Sequence, residues 1–201
     1  MKRIVALALG LLLLAGCGRA VAPDEPAGPR VIAEWPEHGI TLTYVEEGTI
    51  LLRHGIEEAT FSGWGKPWFD NGYVSGMAFH DFDGDGENEL AVIEQVMLGD
   101  APSMQLHMIK LGGQPWIDHV FTVEDAAAWL DTQGFAAEYM SVDFNMGMRV
   151  MLGTWEADSV YVADVSFDGT QFQLSDITYY AAGYARMDKN PWEDLSEREH
   201  A

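Results

Sequence analysis

The chain holds one cysteine, Cys17, in 201 residues. Without a second thiol there is no internal disulfide framework and no structural zinc site built on cysteines, and a cysteine nucleophile goes with them. Cations are scarce too: 11 Lys and Arg stand against 32 Asp and Glu, a formal charge of −21. A surface that acidic repels nucleic acid and anionic head groups and keeps the protein soluble. Catalytic signatures are also missing. There is no His-Glu-x-x-His helix, no Gly-x-Ser-x-Gly elbow and no Ser-x-x-Lys. The histidines are scattered as His38, His54, His80, His107, His119 and His200, with no paired metal spacing. His80, beside Asp81, is the most suggestive, although a histidine at a strand end is ordinarily a packing or hydrogen-bonding group. No internal repeat of propeller length is visible.

What the chain does have is Asp81-Phe82-Asp83-Gly84-Asp85-Gly86-Glu87-Asn88-Glu89, followed by the apolar run Leu90-Ala91-Val92-Ile93. Carboxylates at alternate residues can turn inward around one centre, and a hard dication takes roughly six to eight oxygen ligands. Gly86 permits a sharp turn that a Cβ would resist. Without a cation, carboxylates this close repel one another, so Asp81, Asp83, Asp85 and Glu89 are expected to bind Ca2+. An EF-hand would need Glu at the twelfth loop position, where Val92 stands instead. The flanks Gly76–His80 and Glu89–Gln95 read as strands, which makes this a strand–loop–strand site over residues 81–89.

This pattern resembles the calcium-binding hairpins of FG-GAP and VCBS repeats, found in integrin-type β-propellers and many bacterial surface proteins. The resemblance covers about 25 residues, Tyr73 to Val96, and implies the backbone carbonyl of Glu87 as a further ligand. The motif occurs once, whereas a propeller needs at least about four blades, and the Phe-Gly and Gly-Ala-Pro segments are missing. As a whole the chain resembles lipoproteins of Gram-positive bacteria that carry one such hairpin.

The amino-terminal segment reads as an export signal over residues 1–16. Lys2 and Arg3 form its positive region and Ile4 to Leu14 its apolar stretch, too short to span a hydrocarbon core of about 30 Å as a permanent helix. Leu14-Ala15-Gly16-Cys17 resembles a bacterial lipobox, which implies lipidation of Cys17 and membrane attachment through that lipid. Processing would remove Lys2 and Arg3 and move the charge from −21 to −23. Residues 17–30, with three prolines and no apolar periodicity, are expected to be a flexible tether.

Residues 31–185 are expected to form one domain, large enough for a core. Ile40, Leu42 and Tyr44 alternate with Thr41 and Thr43, and Thr49–Arg53 returns after the Glu46-Glu47-Gly48 turn. Met104, Leu106 and Met108 alternate with Gln105 and His107, and Met140, Val142, Phe144 and Met146 with Tyr139, Ser141, Asp143 and Asn145. Tyr161 to Phe167 lead into Asp168-Gly169, expected as a tight turn, with Phe172 and Leu174 on the return. The fold class is therefore mainly β, with antiparallel sheets arranged as a β-sandwich or a partial propeller-like stack and one or two short helices. Thr122 and Asp125 form a capping-box pair before Ala126–Leu130, with Gly134 as the stop. Asn190-Pro191 is the start of a second short helix, or residues 186–201 form a charged tail.

Phe61 to Tyr73 carries five aromatics among glycines. As a loop, Trp64, Trp68 and Tyr73 would stack on sugar faces; as an irregular core segment, they would fill space between sheets. The second use is preferred, because the chain is 48% hydrophobic. The favoured function is a calcium-stabilised, lipid-anchored protein of the cell membrane or outer envelope, acting as a non-enzymatic interaction module with a protein or glycan partner and no nucleic acid. The alternatives are an exported hydrolase with an unrecognised site and a glycan-binding surface protein.

Overall fold

Period-two alternation broken by glycine-bearing turns folds the chain into consecutive hairpins. The structure, a computed structural model, describes residues 28–46, 48–65, 73–98, 101–113, 115–130, 137–145, 147–154 and 160–180. Cys17 and the export signal, the tether up to residue 27, Trp68, Gly134, Met146 and segment 186–201 with Asn190 and Pro191 lie outside them. Strands β1 (Arg30–Trp35), β2 (Ile40–Glu46), β3 (Thr49–His54) and β4 (Glu57–Ser62) form an amino-terminal sheet. Strands β5 (Val74–His80), β6 (Glu89–Leu98), β7 (Ala101–Lys110) and β8 (Ile117–Phe121) form a central one. Strands β9 (Tyr139–Asp143), β10 (Arg149–Gly153), β11 (Val160–Phe167) and β12 (Phe172–Tyr180) form the third. All pairings between these strands are antiparallel and join neighbours in sequence. The mainly-β class holds, and the sheets form a stack without closing into a barrel.

The central sheet is covered on both faces. Leu90, Val92 and Ile109 pack with Ile40, Leu42, Ile50, Leu52 and Phe61 of the amino-terminal sheet. Ala91, Ile93, Leu106 and Met108 pack with Met140, Val142, Val150, Leu152 and Val165 of the third sheet. Burial on both sides explains the unbroken apolar run of β6, since alternation survives only where one face is wet. Helix α1 (Val123–Leu130) follows β8 and buries Val123, Ala126 and Leu130. Its capping box forms as expected: the Thr122 N–H donates to Asp125 Oδ2 at 3.0 Å, and the Asp125 N–H donates to Thr122 Oγ1 at 3.3 Å. Among the described residues no helix is long and apolar enough to cross a membrane.

Two local expectations need correction. The β11–β12 connection is not a two-residue turn: Phe167 pairs with Phe172, leaving Asp168–Gln171 as a four-residue loop. The Asp168 carboxylate accepts the Thr170 and Gln171 N–H groups at 3.0 and 2.8 Å, and Gly169 alone takes the left-handed conformation there (φ +92°). The alternation assigned to residues 139–146 ends as a strand at Asp143, and Asn145 makes only an isolated bridge with Gly147.

Candidate functional site

The β5–β6 connection carries the acidic loop. His80 pairs with Glu89, so the strands bring both ends of residues 81–88 together. Backbone N–H groups then fix the carboxylates. Gly84 and Gly86 donate to the two oxygens of Asp81 at 2.7 and 3.0 Å, Asp85 donates to Asp83 at 3.1 Å, and Glu87 donates to Asp85 at 2.8 Å. Gly84 (φ +79°) and Gly86 (φ +93°) supply the left-handed backbone this winding needs.

The loop brings Asp81, Asp83 and Glu89 together, each offering an oxygen within 4.8 Å of the others. Asp85 lies outside that cluster: it is exposed, and its Oδ2 accepts Lys110 Nζ at 2.9 Å. The Glu87 side chain runs over Gly112, two residues beyond the end of β7. Glu89 is 1% exposed. Its Oε2 accepts the Phe82 N–H at 2.8 Å, whereas its buried Oε1 has no hydrogen-bond partner. Burial, opposed by that hydrogen bond and reinforced by Asp83, lifts the Glu89 carboxyl above the usual glutamate range. A buried carboxylate oxygen without a donor is costly, and a hard cation is a ligand that would satisfy it. Lys110, across the β6–β7 ladder from Glu89, completes the charge pattern. Its ammonium also bonds Asp83 Oδ2 at 2.5 Å, and these two hydrogen bonds raise its pKa.

A second polar centre, absent from the sequence reading, lies between the amino-terminal and central sheets. His107 is 0% exposed, with carboxylates at both ring nitrogens: Nε2 is 2.9 Å from Glu94 Oε2, and Nδ1 is 2.9 Å from Asp118 Oδ2. A neutral imidazole donates from one nitrogen only, so two acceptors favour the imidazolium. Burial pulls the ring toward neutrality, but the hydrogen bonds to Asp118 and Glu94 outweigh it and raise the pKa above the ordinary histidine value. Glu94 further accepts the Gly65 N–H at 2.7 Å and a short bond from Gln105 Nε2. The Trp64 indole donates to Asp118 Oδ2 at 3.0 Å. Among the described residues no hydroxyl or thiol bonds to His107.

Trp64 and Tyr73, two of the three rings considered for sugar stacking, are each 3% exposed and belong to the inter-sheet core. The Tyr73 hydroxyl donates to the Gly65 carbonyl at 2.7 Å, and burial raises its pKa. An accessible indole is instead Trp129 on α1, 44% exposed, beside an open cleft of about 550 Å³ that His119, Asp125, Thr170 and Gln171 also line. His80 is exposed and packs edge-on against Phe82.

No family model, no curated protein and no solved structure matches the chain.

Proposed function

We propose that this protein is a calcium-stabilised module of the cell envelope, attached to the membrane by lipid on Cys17 and serving interaction, not catalysis. The observation that carries the calcium part is the buried Glu89 Oε1, unpartnered and grouped with Asp81 and Asp83 in a loop whose backbone already holds the carboxylates in place. Oxygen-only donors, all anionic, suit a hard dication better than a transition metal. In this reading Asp81, Asp83 and Glu89 are the primary ligands, and Asp85 and the Glu87 carbonyl join as the loop tightens. Millimolar extracellular calcium matches a surface site of modest affinity.

Calorimetry with calcium, paired with thermal melting in chelator, tests the reading. A cation that binds only the folded form adds about 1.4–2.7 kcal/mol at ten to a hundred times its Kd. Calcium should raise the melting temperature by several degrees, magnesium by less, and Asp83→Ala should remove the response. No heat of binding at millimolar calcium, with melting indifferent to chelator, refutes it. The anchor is tested separately: Cys17→Ala should release the protein from the membrane fraction and abolish fatty-acid labelling.

A further inference from the structure

We propose that Lys110 is a tethered competitor for this site: its ammonium neutralises Asp83 and Asp85 until a dication displaces it, and so sets both the affinity and the charge selectivity of the loop. The inference rests on the calcium reading above and adds to it the residue that governs exchange.

The placement follows from strand register. Lys110 ends β7 directly opposite Glu89 at the start of β6, so its stem is anchored beside the cluster. Its Nζ reaches Asp83 at 2.5 Å and Asp85 at 2.9 Å. The Asp83 side chain is only 4% exposed, so the carboxylate end of the pair is largely desolvated, which strengthens the charge interaction. The third sheet closes over the contact. A Cβ on Gly169 would stand 2.6 Å from Asp83 Oδ2 and 3.4 Å from Lys110 Nζ, so the β11–β12 loop lies directly against both groups.

Lys110 solves only part of the loop's electrostatic problem. It bonds Asp83 and Asp85 and leaves Glu89 Oε1 without a donor. A sodium ion would bring the same single charge that the lysine already supplies, and the lysine is held by the chain with no further translational entropy to lose. A dication brings twice the charge and several coordination positions, the stranded Glu89 oxygen among them. Exchange therefore favours divalent over monovalent cations, at an affinity lowered by the work of expelling the ammonium. With 23% of its side chain exposed, Lys110 has a route outward to solvent.

The test is calcium titration by calorimetry of the wild type, Lys110→Met and Lys110→Arg in sodium chloride and in choline chloride, with a melting curve for each protein to show that it folds. Lys110→Met should bind calcium at least about tenfold more tightly, a gain of about 1.4 kcal/mol, and sodium should now weaken its calcium binding. Lys110→Arg, which keeps the charge, should stay within a few-fold of the wild type. A second readout uses the intact wild type. The chain has four lysines, Lys2, Lys66, Lys110 and Lys189, so amine-reactive labelling with peptide mapping isolates Lys110, and calcium should accelerate its modification. If the wild type binds calcium but Lys110→Met binds it equally or more weakly, or if calcium leaves Lys110 labelling unchanged, the competitor role is wrong and the calcium site stands. If neither protein binds calcium, the site itself falls and this inference with it.

Discussion

Trp64 lies flat on His107: the ring centroids are 3.8 Å apart and the planes 20° from parallel. The indole comes from the segment after β4 and the imidazole from β7, so one stacked pair joins the amino-terminal sheet to the central sheet. The same indole donates to Asp118 Oδ2, the oxygen that also bonds His107 Nδ1. A cation lying on a Trp face is attracted by the ring quadrupole, most strongly when desolvated. This aromatic therefore covers a buried ring whose charged form its carboxylate partners favour.

Truncating that cover should be severe. Trp64→Ala is expected to cost about 3–5 kcal/mol, the range for deleting a large buried aromatic. Trp64→Phe keeps a ring over His107 but leaves Asp118 short of a donor, and should cost about 1–3 kcal/mol. Urea denaturation ranks the three proteins, and an unchanged midpoint in Trp64→Ala would place the ring outside the core.

The His107 network predicts a direction of pH dependence. The folded-state pKa is raised above the ordinary value, so the folded state holds the proton more tightly than the unfolded chain. Its stabilisation is fully present below about pH 6.5 and is lost as pH rises through the higher folded value. Wild-type stability relative to His107→Gln should therefore shrink from about pH 6.5 upward, as read by denaturant unfolding across that range. The variant should also be destabilised by about 1–3 kcal/mol at neutral pH, because Glu94 and Asp118 would lose the ring that both of them bond. A difference that grows with pH contradicts the assigned charge.

Glu89→Gln should reverse the order of stability with conditions. The amide keeps an acceptor for the Phe82 N–H and turns donors toward Asp81 and Asp83. In chelator the variant should exceed the wild type by about 1–3 kcal/mol, the scale of an unsatisfied buried polar group. With calcium the wild type should catch up or overtake, while the variant no longer responds. Melting curves with and without calcium show whether the order crosses, and a variant less stable in both would assign Glu89 to structure alone.

The close approach of Gly169 to the loop is open to a paired substitution. Gly169→Ala combines positive-φ strain with a Cβ 2.6 Å from Asp83 Oδ2, whereas Gly113→Ala (φ +77°) meets no atom within 4 Å. Strain alone is worth about 1–3 kcal/mol, so Gly113→Ala should show that and no more. Gly169→Ala should cost more and should also weaken calcium binding, measured by the same melts and titrations. Equal effects at both positions would remove the contact as a cause.

The features legible in the sequence were those whose partners lie close along the chain. The acidic loop was readable because Asp81, Asp83 and Glu89 fall within one hairpin, and the β2–β3 and β11–β12 pairs because period-two runs flank glycine turns. Lys110 was not, since it reaches Asp83 only through the β6–β7 register, 27 residues on. The His107 centre is hidden for a different reason. Gln105 and His107 alternate with Met104, Leu106 and Met108, which normally marks a solvent face. Here that face meets a second sheet, and the polar residues satisfy one another across β6, β7 and β8. The four consecutive apolar residues at Leu90–Ile93 were the available sign that this sheet has no wet side.

A sheet with two dry faces cannot be finished until both neighbours have arrived. Each of the three sheets is a meander of adjacent strands, so its hairpins can form locally and early. A central sheet docked on only one side would still present Leu90, Val92 and Ile109, or Ala91, Leu106 and Met108, to water. Such a partly assembled chain is prone to self-association. The described region should thus behave as one cooperative unit, and a fragment cut between β8 and β9 should aggregate instead of folding as a smaller domain.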